Sequence, residues 1–84
     1  MEYFFKPSAL KSLRKMPREV QKRILEKLDF YCNSDNPFEF AESLSAKSLG
    51  NFRFRIGNYR IIFDSESNKI IILLIGNRKD IYKK

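Results

Sequence analysis

The sequence has no histidine and no tryptophan, one cysteine, and only three glycines and three prolines among its 84 residues. Without histidine, the side chain that most often serves as a general base near neutral pH is missing, as is the commonest metal ligand. One cysteine allows neither an internal disulfide nor a thiolate zinc site. Ser–His and Cys–His nucleophilic catalysis are excluded with them. Cys32 is therefore read as a small apolar packing residue near a helix end. No metal and no cofactor is expected. The longest apolar run, Ile70 to Ile75, has six residues, whereas a bilayer-spanning helix needs ~20. No basic stretch followed by an apolar one opens the chain, so no secretory signal is read and a cytoplasmic location is expected.

Charge is abundant and one-sided. Seventeen Lys+Arg stand against ten Asp+Glu, for a net charge of +7 and a pI near 9.8. A chain so basic attracts polyanions: nucleic acid, an acidic protein or an anionic surface. The excess lies at both ends, with net +4 over residues 1–30 and +5 over 49–84, around an acidic middle at −2. Hydrophobic residues make up 43%, enough for a core and too many for a disordered tail.

Residues 1–84 read as one α+β domain. Glu2–Lys6 is a short aromatic strand stopped by Pro7. Ser8 can cap a helix carrying Leu10 and Leu13. Pro17 suits the first turn of a second helix, Pro17–Tyr31, whose Val20, Ile24, Leu28 and Tyr31 form one apolar stripe. The short link at Lys15–Met16 makes the two an antiparallel helix hairpin. Residues 33–48 read as an ordered loop with a short helical piece anchored by Phe38, Phe40 and Leu44. A three-stranded antiparallel meander follows: Phe52–Ile56, a Gly57-Asn58 turn, Tyr59–Asp64, a turn over Ser65–Asn68, and Lys69–Gly76. The helices are expected on one face of this sheet.

Register assigns the faces. With Gly57-Asn58 as the turn, Arg55 lies opposite Arg60 and Phe54 opposite Ile61. One face then holds Phe52, Phe54, Ile56, Tyr59, Ile61 and Phe63, and the other Arg53, Arg55 and Arg60. Like charges directly across a strand pair cost roughly 0.2–1 kcal/mol, a cost that an anion seated between them removes. Guanidinium forks match phosphate oxygens. On the third strand Ile70, Ile72 and Leu74 are expected on the core face, and Ile71, Leu73 and Ile75 beside the arginines. Arg78, Lys79 and Tyr82 then form a rim at the Arg60 end. Arginines on an open strand face also serve simply as solubilising charge, and the helix cations Lys11, Arg14, Lys15, Arg18, Lys22 and Lys27 read mainly as a solvated face.

The segments Leu49–Phe63, containing Arg53-Phe54-Arg55-Ile56-Gly57-Asn58-Tyr59-Arg60, and Ile75-Gly76-Asn77-Arg78-Lys79-Asp80-Ile81-Tyr82 resemble the RelE/ParE toxin superfamily, in its RelE-like branch. The order of elements is similar over essentially the whole chain. The resemblance implies the toxin of a type II toxin–antitoxin pair. It would be a ribosome-dependent, metal-independent endoribonuclease (an mRNA interferase) that cuts mRNA in the A site by 2′-hydroxyl attack on the adjacent phosphate. It implies that Arg53 or Arg55 contacts or activates the RNA, that Arg60 stabilises the scissile phosphate, that Arg78 acts near the leaving group and that Tyr82 stacks on a base. Asn77, Lys79 and Arg60 would bind substrate. Asn77 departs from the histidine or lysine common in relatives and cannot transfer a proton. The base stays open among Lys79, Tyr82, Asp80, a lysine of lowered pKa and solvent. The implied partners are an acidic, RelB-like antitoxin and the ribosome with its message; Ile62, Ile71, Leu73 and Ile75 are candidate antitoxin contacts. The alternatives are a ParE-like inhibitor of DNA gyrase and a non-cutting nucleic-acid-binding relative.

Overall fold

The computed structural model describes residues 1–45 and 49–81. The strands are β1 (Glu2–Phe5), β2 (Ala41–Ser43), β3 (Phe52–Ile56), β4 (Tyr59–Glu66) and β5 (Lys69–Asn77), and the helices are α1 (Pro7–Arg14), α2 (Arg18–Asn33) and α3 (Arg78–Ile81). A short 3₁₀ turn spans Pro37–Phe40. The strands form one five-stranded sheet in the order β1-β5-β4-β3-β2. It is mixed, because β1 runs parallel to β5 while every other pair is antiparallel.

The meander is present, with one strand added on each side. β1 joins the outer edge of β5, pairing Tyr3 with Ile70 and Phe5 with Ile72. β2 arises within the stretch read as loop, and the short helical piece expected there is the 3₁₀ turn. Three residues are too few to show an alternation of their own; β2 exists because β3 supplies a hydrogen-bonding edge, with Glu42 opposite Arg53. The Ser8 cap is corrected. Pro7 opens α1 behind an uncapped Lys6, and the Ser8 hydroxyl lies 3.5 Å from the Leu73 carbonyl oxygen. Pro17 precedes α2 as its N-cap instead of sitting in its first turn.

The helices bury one face of the sheet. Ala9 and Leu13 of α1 and Ile24, Leu28, Tyr31 and Cys32 of α2 meet Phe54, Ile56, Ile61, Phe63, Ile70, Ile72 and Ile75. Rings run through this core: Tyr31 lies 4.8 Å from Phe54, and Phe54 stacks on Phe63 at 4.4 Å. The Tyr3 hydroxyl donates to Asp29 at 2.7 Å and ties β1 to α2. Burial pushes the Cys32 thiol up, so it is a packed apolar group and a poor nucleophile.

Both meander turns have two residues. Gly57 has φ 59° while Asn58 does not turn positive, the sign pattern of a II′ turn, which takes glycine first. Ser67 and Asn68 are both positive, at 52° and 63°, as a I′ turn requires. Here the turn is tighter than Ser65–Asn68, and β4 runs on to Glu66.

A bulge corrects the faces of β5. Ile62 pairs with Leu74 but Phe63 pairs with Ile72, so Leu73 is the extra residue. The side-chain period slips by one beyond it. Ile75 therefore enters the core opposite Ile61, and Leu74 falls on the arginine face beside Ile62. Arg60 accordingly pairs with Gly76.

Candidate functional site

β3 and β4 place the three arginines as their register requires. Arg55 lies directly opposite Arg60, and Arg53 opposite Ile62. All three side chains share the face turned away from the helices. They are not equivalent there.

Arg60 is nearly enclosed, at 5% exposure. Its Nη1 donates to the carbonyls of Gly57 at 3.1 Å and Tyr59 at 3.0 Å. These bonds hold the guanidinium against the β3–β4 turn and fix its direction, and an arginine can make them because its fork carries five N–H donors. On the other side its strand partner is Gly76, and a Cβ at Gly76 would touch Ile81 at 3.4 Å. α3 thus folds back over the arginine face beside Arg60.

Arg53 and Arg55 meet a carboxylate that sequence reasoning overlooked. Glu42 on β2 accepts from Arg53 Nε at 2.9 Å and lies 2.8 Å from its Nη2 and 3.7 Å from Arg55 Nη1. The hydrogen bond from Arg53 holds the Glu42 carboxyl below its ordinary value near 4.5, and the charges of Arg53, Arg55 and Arg60 act in the same direction. One anion is therefore already shared by the cluster. The only sequence signal for it is an acidic residue in the acidic middle segment; nothing local shows that the segment becomes a strand beside Arg53. Because Glu42's folded pKa is lowered, its ion pairs persist above the ordinary carboxylate value. They are lost as pH falls through the lowered one. Acidification through this lowered value is therefore expected to break the Glu42 pairs to Arg53 and Arg55 while the core stays folded, a change that NMR titration of the Glu42 carboxyl against Arg Nε–H shifts would follow.

The rim forms at the Arg60 end. The Arg78 N–H donates to the Asn58 carbonyl at 2.7 Å, clamping the start of α3 onto the turn. Asn58, Asn77, Arg78 and Lys79 line a cleft of ≈ 430 Å³. Asn77 Oδ1 accepts from the Lys79 backbone N–H at 3.0 Å, so the asparagine caps the helix that carries the rim. Asn77→Ala is expected to cost about 1 kcal/mol of local stability, seen as faster amide hydrogen exchange at Lys79 with an unchanged global melting temperature. Tyr82 lies outside the described residues.

The apolar surface expected beside the arginines is smaller than the sequence suggests. Ile75 is in the core, and Ile62 is buried on the arginine face itself. Gly50 covers it, so close that a Cβ there would come within 2.6 Å of the Ile62 Cγ2. Asp64 holds this cover by accepting from the Asn51 N–H at 2.8 Å. Ile71 and Leu73 remain half-buried.

Sequence reasoning also missed Arg23. It lies off the apolar stripe of α2, yet its guanidinium spreads over the hairpin turn, 3.3 to 3.6 Å from where a Gly57 Cβ would sit. Among the described residues no cluster of His, Cys, Asp and Glu could hold a metal ion, and no helix is long and apolar enough to cross a membrane.

Residues 3–82 match the family model described as the ParE toxin of the type II toxin–antitoxin system parDE. A curated relative, Toxin RelG of Mycobacterium tuberculosis, is 29% identical over 82 residues, covering 95% of this chain and 93% of that one. Among solved structures, the RelBE2 toxin–antitoxin complex of Mycobacterium tuberculosis superposes with a TM-score of 0.77 at 24% identity, covering 92% of this chain and 96% of the other. The RelB–RelE antitoxin–toxin complex of Methanococcus jannaschii follows with a TM-score of 0.71 at 26% identity and 94% of each chain.

Proposed function

The chain belongs to the ParE toxin family of type II toxin–antitoxin systems, and on that footing we propose that it cuts messenger RNA on the ribosome and is held in check by an acidic, RelB-like antitoxin. The observation that carries this reading is the Arg55–Arg60 pair on one sheet face, with Arg53 beside it and Arg78 and Lys79 at the same end.

The chemistry needs little else. The 2′-oxygen loses its proton as it bonds to the adjacent phosphorus. The bond from phosphorus to the 5′-oxygen breaks, and that oxygen takes up a proton. The products are a cyclic phosphate and a 5′-hydroxyl. Between them stands a pentacoordinate phosphorane with more negative charge than the starting diester. Fixed guanidinium groups stabilise that state more than the ground state. Arg60 is the most rigid of the set because two turn carbonyls and its own burial hold it. Arg53 and Arg55 must exchange Glu42 for a phosphate. The exchange replaces one anion with another, so it costs less than stripping a cation bare. Arg78 stands by the leaving oxygen and Lys79 meets flanking phosphates. Tyr82 stacks on a base of the message, with Asn77 setting the turn from which this segment leaves the sheet.

Two experiments address this reading. Induced expression followed by primer extension on translated messages is expected to show growth arrest and cuts within codons, both relieved by co-expression of an acidic antitoxin. Intact messages during arrest would overturn it. Glu42→Gln is expected to tighten binding of programmed ribosomes several-fold, because the competing Glu42 charge beside Arg53 and Arg55 is removed; weaker binding would show that Glu42 holds the arginines in their working positions. The family model bears the ParE name, which favours gyrase inhibition as the second reading. Supercoiling assays with purified gyrase separate the two.

A further inference from the structure

The hairpin turn has a second set of cations on its helix side. Arg23 has carboxylates within reach on its own helix, Glu19 one turn before and Glu26 three residues after, yet it makes no ion pair among the described residues. Its guanidinium is laid against the Gly57 turn instead, 3.3 to 3.6 Å from where a Cβ would sit. Glycine at position 57 supplies the positive φ of the turn, and Arg23 packs over that turn as a shelf on the helix side. From this shelf a cleft of ≈ 290 Å³ runs along α2, lined by Arg23, Glu26, Lys27 and Phe30. Two cations stand there against one carboxylate. Phe30 exposes 61% of its surface, more than any other large apolar residue of the described chain. It packs edgewise on Tyr31 and tilted on Phe40, at 6.1 and 5.7 Å, so its ring is held in place although it is open to solvent.

An open, supported ring with lysine and arginine side chains beside it is the arrangement that single-stranded nucleic acid uses: a base stacks on the ring while the cations take the adjoining backbone. An acidic helical peptide laid on the ring would satisfy only part of this set. The continuity with Gly57 and Asn58, which lead directly to the Arg78 and Lys79 rim, favours a strand that passes from one side of the turn to the other. We infer that Arg23, Lys27 and Phe30 form a second RNA subsite on α2, binding one to two nucleotides that flank those on the arginine face. The inference rests on the proposed action on RNA and extends it to residues outside the arginine face.

The test uses the purified full chain and two fluorescein-labelled single-stranded RNAs, a trinucleotide and a twelve-nucleotide strand, followed by anisotropy between 50 and 200 mM salt. Arg23→Ala and Phe30→Ala are each expected to weaken binding of the longer RNA about tenfold. The trinucleotide should be affected less than twofold, and Arg23→Ala should lower the salt slope of the longer RNA by about 0.7. Lys69→Ala is the charge control, since Lys69 begins β5 at the end far from Asn77; it should leave both affinities within twofold. Phe30→Tyr keeps the ring and should bind as the parent does, which separates stacking from misfolding. Equal loss for both RNAs, loss matched by Lys69→Ala, or no loss would overturn the inference. So would failure of the parent chain to bind the longer RNA, whereas message cleavage on ribosomes is the separate result on which the proposed function stands. Tight binding of an acidic helical peptide that Phe30→Ala abolishes, with RNA binding unchanged, would assign the cleft to a protein partner instead.

Discussion

Arg60→Lys should lower the single-turnover rate of message cleavage on programmed ribosomes by 10²–10³-fold, in the range seen when one preorganised donor to a developing oxyanion is removed. Lysine keeps the positive charge and most of the stem. It loses the planar fork that bonds Gly57 and Tyr59 and fixes the direction of the guanidinium. A point charge on a mobile stem cannot follow the phosphorane in the same way. Arg60→Ala is a poorer test on its own, because it also strips a donor from two turn carbonyls. Leaving such groups unsatisfied costs about 1–3 kcal/mol each when they are buried. A melting curve for both variants separates these contributions. If Arg60→Lys melts like the parent and cuts like the parent, the arginine face is not the place of reaction.

Phe54→Ala carries the largest expected cost in stability, about 3–5 kcal/mol for a fully buried aromatic. The ring is entirely enclosed and lies between Tyr31 of α2 and Phe63 of β4, so its loss leaves a void bounded by both layers of the fold. A domain of this size has a total stability of about 4–13 kcal/mol, and each kilocalorie shifts its melting point by roughly 4–8 °C. A fall of more than about 12 °C is expected by calorimetry. Phe4→Ala makes the contrast. That ring is 45% exposed at the β1 edge, with the Lys69 ammonium 5.4 Å from its centre, and its loss should cost no more than about 1 kcal/mol. Similar costs for the two would mean that the stacked rings do not organise the core.

The parts of this fold that were legible in the sequence are those governed by short-range rules. Gly57-Asn58 sets the β3–β4 register, and a slip of one residue would drive three guanidinium groups into the core. The apolar stripe of α2 enters the core as its spacing requires, through Ile24, Leu28 and Tyr31. The parts that were not legible depend on a partner far away in the chain. β2 is a strand only because β3 lies beside it, so Glu42 could not be seen facing Arg53. The bulge at Leu73, where β5 has already passed the last residue paired with β1, has no local signal in the sequence, and it exchanged the faces of Leu74 and Ile75.

The site divides in the same way. Composition and alternation alone determined that three arginines share one sheet face and that histidine chemistry and thiolate zinc have no place here, because both follow from residue identity and the two-residue strand period. Only tertiary structure decided which arginine is rigid and which is shared with a carboxylate. Burial, ion pairing and the shelf over Gly57 are properties of segments brought together across the fold, and no local rule encodes a distance between them.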